Sequence, residues 1–142
     1  MNRSIFRGAA VAALGLLAAC SSAPEPMAVS LQATEFQYGP KTIEAAVGQQ
    51  VTVTLVNGGT VEHDFVILEI PLAEPVADAG EADEMAGHNM GELEMQAAVH
   101  GEAMLGMTGS VTFTPTQAGT YDFFCAVAGH KEAGMVGTLI VQ

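Results

Sequence analysis

The sequence predicts an all-β fold, a β-sandwich or small barrel interrupted by one irregular, part-helical insertion. Short runs of strand-forming residues are separated by Gly and Pro turns along most of the chain. Val51, Val53 and Leu55 alternate with Thr52, Thr54 and Val56 before Asn57-Gly58-Gly59, the period-two pattern of a half-buried strand followed by a turn. No long helical repeat separates the strands, so a parallel α/β sheet is a poor match to the pattern.

In chain order, the first strand is expected from Val29 to Phe36, followed by a turn at Tyr38-Gly-Pro40. The alternating Val51–Val56 run comes next. His63 to Ile70 is denser in apolar residues and stops at Pro71, and Val111 to Thr114 alternates again before Pro115. Tyr121 to Cys125 is an aromatic strand after Ala118-Gly119, and Gly137 to Val141 is the terminal strand. Residues 72–109 break the rhythm. They carry Asp78, Glu81, Asp83, Glu84, Glu92, Glu94 and Glu102 without a single Lys or Arg, and Met90 to His100 has helix-favouring composition. The glycines at 80, 87, 91, 101, 106 and 109 keep any helix there short, and the whole of 72–109 is expected to be an insertion.

The N-terminus reads as a targeting segment. Arg3 and Arg7 precede an apolar run from Gly8 to Ala19, too short for a membrane span of about 20 residues and suited to the core of a signal peptide. The run ends in Leu17-Ala-Ala-Cys20, which resembles the lipobox of bacterial lipoproteins. That resemblance implies a signal peptide at 1–19, lipidation of Cys20, a tether at 20–28 and a folded domain at 29–142. The expected location is therefore a bacterial periplasm or cell surface, with a lipid holding the protein to a membrane.

With the signal removed, 123 residues remain, enough for one domain. Two of the four basic residues leave with it, so the net charge moves from −12 to about −14. Such a chain repels nucleic acid and anionic headgroups and favours basic partners. Phosphate-binding glycine loops, dinucleotide fingerprints and His-Glu-x-x-His runs are absent from the sequence. The only other cysteine is Cys125, so a lipidated Cys20 leaves it without a disulfide partner in an oxidising compartment.

A bound metal resolves that liability. Cys125, His130 and Met135 fall within eleven residues, and His63 lies upstream in Asn57-Gly-Gly-Thr-Val-Glu-His-Asp-Phe65. One thiolate, two imidazoles and one thioether form a soft donor set that suits copper in both oxidation states. Zinc is the main rival, but a thioether is a poor zinc ligand. Each residue taken alone has an ordinary explanation: a satisfied histidine, a buried thiol, a core methionine. Their spacing, with Gly129 before His130 and Gly134 before Met135, argues for a ligand loop. A Cys125–His130 nucleophile pair lacks any oxyanion-binding element, and Glu62 and Asp64 are on strand positions that point away from His63. No catalytic residues are expected.

These stretches resemble the small blue copper proteins, the cupredoxins, over nearly the whole mature domain. Gly58-Gly-Thr-Val-Glu-His-Asp-Phe65 is similar to their first-ligand strand. Gly119 to Leu139 is similar to their ligand loop and last strand, with a Cys-x4-His-x4-Met spacing nearest the auracyanin and sulfocyanin branch. The resemblance implies a Greek-key sandwich and one type 1 copper. It places His63, Cys125 and His130 on the equatorial ligands and Met135 on the axial one. It also implies single-electron transfer by a monomer to a redox partner such as a cytochrome or membrane oxidoreductase. The insertion departs from a plain shuttle. Met85, His88, Met90, Met95, His100, Met104 and Met107 offer secondary copper ligands, which opens an alternative reading as a periplasmic copper-binding and delivery protein.

Overall fold

The computed structural model describes residues 22–76 and 91–142. Among the described residues, nine strands form two sheets: β1 (Met27–Thr34), β2 (Gln37–Gly39), β3 (Thr42–Ala45), β4 (Val51–Asn57), β5 (His63–Ile67), β6 (Val99–Ala103), β7 (Thr108–Phe113), β8 (Gly119–Phe124) and β9 (Val136–Val141). One helical turn, α1 (Glu92–Gln96), precedes β6. The sheets run β2-β1-β4-β7 and β3-β9-β8-β5-β6. Parallel pairing of β1 with β4 and of β3 with β9 forces crossovers between the sheets, the connectivity of a Greek-key sandwich and not of a simple meander. The predicted all-β sandwich is the observed fold.

The alternating β4 residues behave as their pattern requires: Val51, Val53, Leu55 and Asn57 are buried, and the intervening positions are half-buried. Between the sheets, Phe65 packs on Phe123 at 4.9 Å between ring centroids and stacks near Phe113 at 6.3 Å. Tyr38 meets Phe123 edge-on at 5.3 Å. Leu31, Val53, Leu55, Val111 and Leu139 complete this core.

Three boundaries differ from the sequence reading. The domain begins before Val29, inside the expected tether. Met27 already pairs with Val51 in β1, and the Met27 N–H donates to Gln50 O at 2.9 Å. The strand expected to end at Phe36 stops at Thr34, because Phe36 takes a positive φ of 62° in the turn to β2. The segment expected to be inserted over 72–109 is narrower than that. Val99–Ala103 is a full ladder partner of β5, and Thr108 and Gly109 already belong to β7. Val99 and Ala103 are buried in the core, so this stretch contributes to the sandwich.

Candidate metal centre

Four loops gather at one pole: the β1–β2 turn, the β4–β5 loop, the β6–β7 turn and the β8–β9 loop. His63 opens β5, and Cys125 follows the last residue of β8. Neighbouring strands of one sheet therefore bring them together across 62 residues of sequence. His130 comes from the β8–β9 loop, which folds back on itself through His130 N–H to Val127 O at 3.0 Å and Ala133 N–H to Gly129 O at 3.0 Å. Gly129 and Gly134 take φ of 84° and 99°, the left-handed conformations that their place in the loop requires.

Three of the expected donors lie close together. The ligand atoms of His63, Cys125 and His130 all lie within 4.8 Å of one another. Both Nδ1 atoms face the thiol: that of His130 is 3.3 Å from Cys125 Sγ and that of His63 is 3.9 Å from it. Met135 is fully buried beside them. Its N–H donates to His130 O at 2.9 Å and its carbonyl accepts the Cys125 N–H at 3.2 Å, so its backbone is locked to both neighbouring donors.

The electrostatics suit a soft metal. Burial pushes the Cys125 thiol up to about 11, while the backbone N–H groups of Asp64 and Val127 act in the opposite direction. The Asp64 N–H points at Sγ from 3.4 Å, so the sulfur is held in place by the backbone of the strand that carries His63. Burial, and next the nearby His130, hold the His63 imidazole below its ordinary value, which keeps its ring nitrogen free of a proton and available to a metal. A thiol and two imidazole nitrogens, buried and mutually close, fit copper. A metal ionises the thiol on coordination.

Several supporting residues carried no signal in the sequence. Tyr38 donates its hydroxyl to the Asp64 carbonyl, and burial raises its pKa, so the phenol stays protonated and remains a donor. The Asn57 side chain donates to Val61 O at 2.7 Å and Ala103 O at 2.9 Å and accepts the Gly59 N–H at 2.9 Å, which ties the loop before His63 to β6. Glu35 accepts from both the backbone and the hydroxyl of Thr60 in the same loop. Phe36 sets its ring edge-on to His130 at 5.3 Å. Hydrogen-bond partners and cross-loop contacts of this kind depend on tertiary structure.

Of the expected secondary ligands, Met85, His88 and Met90 lie outside the described residues. Met95 and Met107 are exposed, and Met104 is half-buried in the β6–β7 turn. His100 belongs to another group, within 4.8 Å of Asp64 and Glu102. Cys20 is also outside the described residues, as is the whole of 1–19, where the sequence led us to expect a signal peptide.

The sequence matches the plastocyanin/azurin family of copper binding proteins over residues 25–142. The chain belongs to that family. It is 33% identical over 108 residues to the copper-resistant cuproprotein CopI of Rubrivivax gelatinosus, which covers 75% of this chain and 60% of that protein. The chain thus spans less than two thirds of the relative's length. The protein of the same name from Pseudomonas aeruginosa is 28% identical over 130 residues, covering 76% of this chain and 72% of that one. Among solved structures, auracyanin A of Chloroflexus aurantiacus, described as a blue copper protein, superposes with a TM-score of 0.62. It is 26% identical, over 82% of this chain and 99% of its own. Auracyanin of Roseiflexus castenholzii gives a TM-score of 0.61 at 25% identity, over 81% and 96%. The His63–Cys125–His130 triad is the donor set of one type 1 copper site, of the kind blue copper electron-transfer proteins use.

Proposed function

We propose that the protein is a single-electron carrier whose copper would be held by His63, Cys125 and His130 as the strong donors, with the Met135 thioether as a weak fourth. Bound copper provides the one-electron chemistry, and the chain provides burial, rigidity and one point of contact with the outside. The observation that carries this reading is the difference in exposure among the four residues. His63, Cys125 and Met135 have no exposed surface, whereas His130 keeps 7%. His130 is therefore the ligand through which an electron would pass between the copper and a docked partner. Phe36 lies edge-on to the His130 imidazole, and Val61, Leu105 and Met107 are exposed apolar residues on other loops at that pole, with Val136 exposed at the start of β9. An apolar collar around a buried redox site is a docking surface. The protein's acidity selects a basic partner, such as a cytochrome face or a membrane oxidoreductase. The role is non-catalytic.

Loading the protein with Cu(II) and recording its visible spectrum tests the site: thiolate coordination gives an intense charge-transfer band. A colourless protein holding one zinc ion would defeat the reading. The transfer role is tested by stopped-flow electron exchange with a basic cytochrome. The expected rate falls as salt rises, and no exchange at any ionic strength would count against a carrier.

The lipobox-like Leu17-Ala-Ala-Cys20 supports export and anchoring of the mature protein at a membrane surface facing the periplasm or cell exterior. Mass spectrometry of the native protein is expected to find an acylated residue 20. An unmodified chain beginning elsewhere would refute the anchor.

Copper binding and delivery is the second reading. It is favoured by two relatives being copper-resistant cuproproteins and by the methionines and histidines between residues 85 and 107.

A further inference from the structure

The β5–β6 ladder has a second face. Its core side carries Phe65, Ile67, Val99 and Ala103, together with His63. The opposite side carries Asp64 and Val66 from β5 and His100 and Glu102 from β6, since side chains alternate across a strand. Asp64 stands directly across from Glu102, and His100 is two residues further along the same face. Their ligand atoms lie within 4.8 Å of one another, with His100 Nε2 3.8 Å from Asp64 Oδ1.

This arrangement is costly for the protein alone. Asp64 is 0% exposed, yet among the described residues neither of its carboxylate oxygens has a hydrogen-bond donor. An ionised carboxylate buried in that way is strongly unfavourable, and placing a second carboxylate directly opposite adds like-charge repulsion. The nearby His100 imidazole, at 3.8 Å, is too distant to satisfy either oxygen by a hydrogen bond. A cation between the three side chains removes both penalties.

We propose that Asp64, His100 and Glu102 form a second, sulfur-free site for a divalent transition-metal ion, with Cu(II) bound most tightly. One imidazole and two carboxylates are borderline-to-hard donors, and the affinity order of first-row divalent ions at such sites peaks at copper. The same donors discriminate against Cu(I), which favours sulfur. Asp64 anchors the ion from the buried side, while half-buried Glu102 leaves an access route and room for solvent ligands. The site is coupled to the first one through a single residue: Asp64 follows His63 in β5 and its N–H points at Cys125 Sγ. An ion held there raises the reduction potential of the type 1 copper, because added positive charge nearby favours the reduced, less positive form.

The proposal is tested on the intact protein with its type 1 site already filled, so the charge-transfer band reports that site independently. Cu(II) is then titrated and bound copper is counted by atomic emission and by electron paramagnetic resonance. The expected result is one further equivalent with a signal lacking thiolate character and no added visible intensity, together with a raised type 1 potential. His100→Gln and Glu102→Gln are expected to lose that equivalent while keeping the charge-transfer band. Failure of wild type to bind a second equivalent overturns the proposal, as does its persistence in either folded variant. On wild type alone, pulsed resonance of the second copper is expected to detect one imidazole nitrogen; its absence also overturns the proposal and leaves the type 1 reading intact.

Discussion

The ring of Phe36 meets the imidazole of His130 edge-on, with 5.3 Å between their centroids, and Phe36 holds a left-handed φ of 62° to do so. A bulky residue in that conformation costs on the order of 1–3 kcal/mol, and persists where its surroundings over-determine it. At 44% exposure Phe36 contributes little to the core, so the strain is tied to the surface around His130.

Phe36→Gly is therefore expected to separate stability from function. Glycine relieves the backbone strain and loses one aromatic contact, so unfolding free energy stays within about 1 kcal/mol of wild type. The charge-transfer band should not change, because Phe36 is not a donor. Electron exchange with a basic cytochrome should slow several-fold in stopped-flow measurements. An unchanged exchange rate would remove Phe36 from the docking surface.

Gly59 guards the other side of the site. A Cβ there would lie 2.6 Å from His63 Nε2, 2.9 Å from Glu35 Oε1 and 3.3 Å from Asn57 Oδ1. Two of these contacts are closer than side-chain carbons approach, so Gly59→Ala must displace the His63 ring or the loop. Copper affinity is expected to fall by about 10–100-fold, the range for disturbing groups that orient a ligand. Competition against a chelator of known affinity measures this, and an unchanged affinity would show that the loop yields without moving His63.

The donors were legible in the sequence because three of them share one short loop, and because a thiol without a disulfide partner needs another explanation. Strand β4 was legible because its alternation is local. Strand β6 was not. Val-His-Gly-Glu-Ala has apolar residues only at its ends, and its centre is a glycine facing Val111, whose Cγ1 a Cβ would approach to 3.0 Å, so a side chain there would have to push Val111 aside. His100 and Glu102 then face away from the core, so the strand reads as part of a polar insertion. β3 is four residues long between turns and is stabilised by pairing with β9, almost a hundred residues away. Asp64 was correctly placed away from His63, but its burial required knowing that β6 lies beside it.

The Glu35–Thr60 contact has a pH signature. Hydrogen bonds from the Thr60 hydroxyl and backbone lower the Glu35 pKa from 4.5 to about 2. A carboxylate whose folded pKa is depressed stabilises the folded state fully above its unfolded value and loses that contribution as pH falls toward the folded one. The melting temperature of wild type should thus exceed that of Glu35→Gln at pH 6. The gap should narrow as pH drops through about 4.5 toward about 2. A gap independent of pH across that window would mean that the charge on Glu35 does not hold the loop.

The choice between carrier and delivery protein rests on Cu(I) stoichiometry. Removing residues 80–107 would also remove β6, whose Val99 and Ala103 are buried in the core, and would test folding instead of binding. Replacing residues 77–90 with a short glycine linker between Val76 and Gly91 spares every described strand while deleting Met85, His88 and Met90. Anaerobic Cu(I) titration of the two proteins is expected to give one tight equivalent in each. The His63, Cys125, His130 and Met135 set already offers sulfur and imidazole donors in a buried, rigid loop, whereas Met95 and Met107 are exposed without such a frame. The Asp64 cluster does not disturb this count, since its oxygen-rich donors favour the divalent ion. A second tight Cu(I) equivalent in the intact protein, lost with residues 77–90, would shift the function to copper binding and delivery, with the type 1 site serving that task.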